Sequence, residues 1–335
     1  MLVAVLALGA GLAGCGGSPG GGSPRATGSA PAGSPPSATT TTTTTPGTTT
    51  TSTTTAALPG AGKPAVTIGD KNYGEQFVLG QLYLQALRAQ GFKVNINQGI
   101  GPTSVVLGSL KRHTLAMYPE YLNVINETFQ RHRHPAKTLA GAYASASNWA
   151  TQHGLVLLAA TPFSDTTGIA VTDAYAAENH LRTLGDLLHV ANTLVLGGAL
   201  QFKAGSALAK YGVAPLKFTP LAVGAQYTAL DSGAVQAAYV TTTDGELATG
   251  DYRVLGDPEN VFWFGNVVPV VTQKAASEEG PAFTATIDRV DRTLTLATMR
   301  QLNYAVDIAK LTPASVAQQY LQTHGLLTPL PSGSY

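Results

Sequence analysis

Leu12-Ala13-Gly14-Cys15 places the only cysteine of the chain after a small-residue pair and an apolar run, Leu2 to Leu12. Such a run is too short to cross a bilayer, which takes about 20 apolar residues, but it suits a signal-peptide core. The chemistry this pattern supports is cleavage before Cys15 and acylation of its thiol. Residues 1–14 are therefore expected to be a lipoprotein signal peptide. Lys71-Asn72-Tyr73 stands just ahead of a helix start, where a cation and free backbone N–H groups can hold a carboxylate. Read alone, Lys71 is more simply a solvated loop lysine. Thr103 and Ser104 open a further helix and could donate hydroxyls, although a plain cap needs no ligand. His132-x-His134 could chelate a metal, but it lies beside Arg131, Arg133 and Pro135 with no acidic cluster nearby, so a solvated basic loop is the simpler reading.

What is absent narrows the class. The sequence holds no nucleophile elbow, P-loop or dinucleotide fingerprint, and an enzyme is not expected. A net charge of +1 with no long basic run argues against nucleic acid. With Cys15 given to lipid, no thiol remains for a disulfide or a thiolate metal site. No metal or cofactor is expected.

The elements that must position these residues begin after a long tail. Residues 15–63 are dominated by Gly, Ser, Pro, Ala and Thr, with threonine runs at 39–45, 48–51 and 53–55. That composition has little to bury against the entropy of ordering, and it reads as a disordered stalk. Residues 64–335 are long enough for one large core or two lobes. Ala65 to Ile68 reads as a strand. Asn72 with Glu75 three residues on is a capping-box pattern, and Val78, Leu79, Leu82, Ala86 and Leu87 then recur at helical spacing until Gly91. Lys93 to Asn97 alternates as a strand, and Leu115 to Tyr118 is another. Further strand candidates are Leu155–Ala160, Ile169–Val171, Thr193–Leu196, Leu216–Phe218, Val235–Val240 and Val267–Val271. The alternation predicts an α/β protein with parallel strands, closed by helices from Phe283 to Leu326.

Four segments, in order, resemble the substrate-binding proteins of osmoprotectant ABC importers, the OpuAC/ProX-like family. Val66-Thr67-Ile68-Gly69-Asp70-Lys71-Asn72-Tyr73-Gly74-Glu75-Gln76 is similar to the family's I-G-S-K-x-F-T-E-Q opening. Tyr118-Pro119-Glu120-Tyr121 resembles Y-P-E-Y-T-G, and Thr242-Thr243-Asp244-Gly245 resembles T-T-D-G. The stretch from Met299 through Asn303, Pro313 and His324-Gly325-Leu326-Leu327 resembles its C-terminal helices. The resemblance covers Val66 to Leu327. It implies a type II periplasmic-binding-protein-like fold with a ligand cleft between two lobes. Lobe 1 would hold about 65–165 plus 270–335, and lobe 2 about 166–269.

The resemblance further implies a lipid-anchored extracytoplasmic receptor that captures glycine betaine, choline or a related zwitterion and hands it to a membrane permease. A methylated ammonium has no proton to donate and is held by aromatic faces, each worth about 0.5–2 kcal/mol. Tyr118 and Tyr121 match the family's aromatic positions, with Lys71 and Asn72 as carboxylate partners and Tyr73 beside them in the ligand loop. Two positions depart from the pattern. Asp165-Thr166-Thr167 stands where many members have Asn-x-Tyr, and Thr241 stands where many have a tyrosine, so Thr167 and Thr241 replace π faces with hydroxyls. Asp165 could supply a charge instead, and Thr166, Thr242 and Asp244 complete the expected site. A changed ligand (polyol, phenolic or ergothioneine-like) and a surface scaffold without transport remain open alternatives.

Overall fold

The computed structural model describes residues 57–202, 206–213, 216–331, 333 and 335. Cys15, the signal segment and the threonine tract lie outside them. Among the described residues ten strands form two five-stranded sheets. They are β1 (Ala65–Gly69), β2 (Lys93–Asn97), β3 (Met117–Tyr121), β4 (Leu155–Leu157), β5 (Thr167–Thr172), β6 (Val195–Gly198), β7 (Lys217–Pro220), β8 (Ala237–Thr241), β9 (Tyr252–Val254) and β10 (Val267–Thr272). The first sheet has the order β2-β1-β3-β10-β4 and the second β7-β6-β8-β5-β9. Each sheet buries apolar side chains on both faces, as a helix-covered sheet must.

The strands are not all parallel as expected. β10 runs antiparallel to β3 and β4, and β5 antiparallel to β8 and β9. A helical crossover returns the chain to the same end of a sheet and makes neighbours parallel. β5 and β10 instead enter straight from the other sheet, so no crossover dictates their direction. The two connecting segments lie side by side. Ser164 bridges Asn266 in antiparallel fashion, and the Asp165 N–H donates to the Gly265 carbonyl at 3.0 Å. The approach there is so close that a Cβ on Gly265 would fall 1.7 Å from the Asp165 carbonyl oxygen.

The first helix, Gly74–Ala89, has Tyr73 at its N-cap with no side-chain cap bond. The expected capping box does not form. Asn72 is exposed and Glu75 turns inward, because buried donors claim its carboxylate. Helix Leu296–Asn303 packs Met299 and Leu302 into the core of the first lobe, alongside Val78 and Leu79 of that first helix. Its far side lies against the turn that follows β8. Pro313 opens the last helix, Pro313–Thr323, behind a Thr312 cap whose side chain accepts from the Ser315 N–H.

Candidate functional site

Strand β3 carries Tyr118-Pro119-Glu120-Tyr121 through the centre of the first sheet, where every residue is buried. The pleat sends successive side chains to opposite faces. Tyr121 therefore joins the core that holds the first helix, while Tyr118 packs with Leu155, Leu157 and Val268 on the other side. The Tyr118 ring is fully buried and its hydroxyl donates to Glu120 Oε2 at 2.8 Å. The other Glu120 oxygen takes a buried ion pair from Lys71 Nζ and the Tyr121 N–H at 2.9 Å. Lys71 lies 5.5 Å from the Tyr121 ring centroid and 6.0 Å from that of Tyr118, so its charge is matched on this side as well. The lysine expected to await a carboxylate is held by one of the protein's own.

Tyr121 is the hub. Its hydroxyl donates to Glu75 Oε1 at 2.9 Å and accepts from Gln76 Nε2 at 3.1 Å, and its ring stacks on Tyr73 at 6.3 Å between centroids. Tyr73 keeps 39% of its surface open to solvent. Beyond Glu75 the network passes to the second lobe. Asn303 Nδ2 donates both to Glu75 Oε2 at 2.9 Å and to the Thr243 carbonyl at 2.8 Å, and Arg300 Nε donates to the Thr242 carbonyl at 2.8 Å. Asp165, on the connecting segment, faces the Glu75 carboxyl and the Thr243 hydroxyl. Burial, above all, raises the pKa of Asp165 well above the usual carboxylate value, and the charges of Glu75 and Asp244 push the same way. Burial raises Glu75 too, against its hydrogen bonds from Asn303, Thr243 and Tyr121.

The second-lobe threonines are largely committed. Thr167 and Thr241 sit directly opposite each other across β5 and β8. The Thr166 hydroxyl donates to the Phe262 carbonyl and that of Thr242 to the Ser164 carbonyl at 2.7 Å, while the Thr166 N–H donates to Thr242 Oγ1 at 3.0 Å. These hydroxyls pin the connecting segments together. Asp244 Oδ2 accepts from the Thr241 N–H at 3.1 Å and the Tyr227 hydroxyl at 2.9 Å, which fixes the turn after β8. Thr103 is half-buried and Ser104 exposed at the first turn of helix Thr103–Lys111, and among the described residues no hydrogen bond joins either to the network. Phe202 and Tyr239 stack at 4.5 Å within the second lobe, so Tyr239 serves that core.

Tyr73, Tyr121, Asp165, Thr242 and Asp244 thus converge near the meeting of the lobes; Tyr118 is tied to them through Glu120, whereas Thr103 and Ser104 do not join them. Sequence reasoning passed over Glu75, Glu120, Thr243, Arg300 and Asn303. Each lies inside a quoted motif, but Glu75 reads as a cap and the others carry no role of their own in the sequence. Only packing shows that they face one another.

Two α/β lobes joined by paired crossing segments, with polar groups meeting between them, define a type II periplasmic-binding-protein fold. The family described as "Substrate binding domain of ABC-type glycine betaine transport system" matches residues 64–323, and the chain belongs to that family. It is a family of binding domains rather than of enzymes. The chain is 29% identical over 279 residues to a glycine-betaine-binding protein of Pseudomonas aeruginosa, covering 78% of this chain and 88% of that one. It is 28% identical over 285 residues to the glycine betaine-binding protein YehZ of Escherichia coli, covering 80% and 93%. The structure of apo YehZ superposes with a TM-score of 0.70 over 78% of this chain and 99% of that one.

Proposed function

We propose that this chain is the lipid-anchored, extracytoplasmic receptor of an ABC importer and that its ligand is a small quaternary-ammonium compound held between the lobes. The observation that carries the reading is the stacked Tyr73–Tyr121 pair, open on Tyr73 and set beside the buried Glu75 carboxyl and the half-buried Asp165 where the lobes meet. Aromatic faces and carboxylates are the groups that attract an ammonium lacking N–H donors. The glycine betaine-binding relatives support the same class. A polyol is less well served, because the Thr166 and Thr242 hydroxyls already donate to backbone carbonyls.

On closure the Thr241–Asp244 turn would keep the contacts it already makes with Asn303 and Glu75, and the closed form would be delivered to a membrane permease. Such closure is a shift toward the state that makes the interlobe contacts, driven by the ligand's preference for it. The test is a thermal-shift series on the full chain with glycine betaine, choline, carnitine, sorbitol and a simple phenol. A ligand of the folded state raises the melting temperature. Stabilisation by the ammonium compounds alone is expected. Stabilisation by sorbitol or phenol alone would mean a changed ligand, and none at all would leave a scaffold. Residues 1–14 and Cys15 are proposed as signal and lipid attachment site. Cys15→Ser is expected to move the protein from the membrane fraction to the soluble one.

A further inference from the structure

The first helix, the loop after β2 and the start of the last helix enclose a cavity of about 500 Å³, a volume usual for small-molecule sites. All its lining residues belong to the first lobe, and none to the Tyr73–Tyr121–Glu75 network. Three primary amides, Asn72, Gln81 and Gln98, line it beside Phe77, and no charged side chain does. The amides are largely unspent. Among the described residues the side chains of Asn72 and Gln98 make no hydrogen bond. Gln81 is only 9% exposed, yet its Oε1 takes no more than a long bond from Gln85 Nε2 at 3.4 Å, and its Nε2 donates to no described residue. A buried amide ordinarily finds partners, so an unspent donor in a cavity wall points to a ligand acceptor. Gly99 keeps the space beside them clear. Its φ of +62° suits glycine, Asp70 Oδ1 holds its N–H at 2.6 Å, and a Cβ there would fall 3.3 Å from Asn72 Oδ1 and 3.8 Å from Phe77 Cε1.

We infer that this cavity is a second ligand site, separate from the place where the lobes meet, and that it takes a neutral saccharide. A primary amide both donates and accepts, which is what a sugar hydroxyl needs from its partner. An aromatic ring covers the apolar C–H face of a sugar ring and removes it from water. A charged ligand would leave water here without a counter-charge, so the wall disfavours ammonium compounds and anions alike. Asn72 is thereby assigned to this cavity rather than to the interlobe ligand. A free sugar and a glycan strand offer the same chemistry.

The test is isothermal titration of the full chain with maltose, maltotetraose, N,N′-diacetylchitobiose and its tetramer, each with and without saturating glycine betaine. Saturable binding of a saccharide, with the same affinity when glycine betaine is present, is expected. Tighter binding of a tetrasaccharide than of its disaccharide would assign a glycan strand, and equal affinity a free sugar. Gln81→Met, close in shape but without the amide, should weaken binding at least about tenfold. Gln98→Ala, at an exposed position, should weaken it at least about threefold and tests the same wall should Gln81→Met misfold, with melting temperatures checking both. Competition by glycine betaine, affinity unchanged in the folded variants, or no saccharide binding would each overturn the inference. The ammonium reading stands or falls separately, on its own thermal-shift series.

Discussion

At the scale of single residues, the buried ion pair of Lys71 with Glu120 shows how a group that sequence reading offers to a ligand can be claimed by the protein. Both side chains are nearly inaccessible, and Glu120 also accepts from Tyr118 and from the backbone of Tyr121. Removing one partner strands a buried charge, so Glu120→Gln should cost about 3–5 kcal/mol in urea unfolding. A loss below about 1 kcal/mol would mean that Lys71 finds water. Tyr73 behaves differently, because its ring is partly open. Tyr73→Ala should leave the melting temperature almost unchanged and weaken ammonium binding by about 0.5–2 kcal/mol in calorimetry; unaltered affinity would remove it from the site.

Asp70 belongs at the same scale. It is fully buried, accepts from the Gly99 N–H at 2.6 Å through Oδ1, and leaves Oδ2 without a partner. Burial lifts its pKa to about 7, against the lowering pull of that hydrogen bond. An acid whose folded pKa is raised stabilises the fold fully below its unfolded value and loses that contribution as pH rises through the folded one. The Asp70 contribution should therefore fade between about pH 4 and pH 7, by up to about 4 kcal/mol. Relative to Asp70→Asn, the unaltered chain should lose stability across that interval in denaturant titrations. A pH-independent difference would refute the argument.

At the scale of elements, the paired crossing segments carry most of the architecture. Gly265 lies so close to the Asp165 carbonyl that any side chain would drive the segments apart, and backbone cannot yield as a flexible side-chain end can. Gly265→Ala should lower the melting temperature by several degrees and displace Asp165, weakening ligand binding at the same time. A melting temperature equal to that of the unaltered chain would show that the crossing tolerates separation. Helix Leu296–Asn303 is the other decisive element. It is rooted in the first lobe by Met299 and Leu302 and holds the second through backbone carbonyls, so it grips the turn after β8 whatever that turn's side chains are.

At the scale of the molecule, those grips bear on closure. With Asn303 and Arg300 both truncated to alanine, the first lobe loses its hydrogen bonds to the carbonyls of the turn, and the open population should grow. Small-angle scattering should then give a larger unliganded radius of gyration than for the unaltered chain, with ligand restoring compactness. Equal radii would assign lobe separation to the crossing segments alone.

The α/β class, the first strand–helix–strand unit and the last helix with its Thr312-Pro313 start were legible because apolar periodicity and turn chemistry are local. The family could be read from four short motifs in order. Strand direction in β5 and β10 was not, since pairing depends on which lobe a strand enters from. Nor could sequence show that the pleat parts Tyr118 from Tyr121, that Glu120 takes Lys71, or that Thr166 and Thr242 spend their hydroxyls on carbonyls. Glu75 and Asn303 are 228 positions apart, and Glu75 and Asp165 are 90. Local pattern names the residues able to do chemistry. Only tertiary contact decides which of them remain unpaired, because a buried charge or hydroxyl takes the first partner that folding brings within reach.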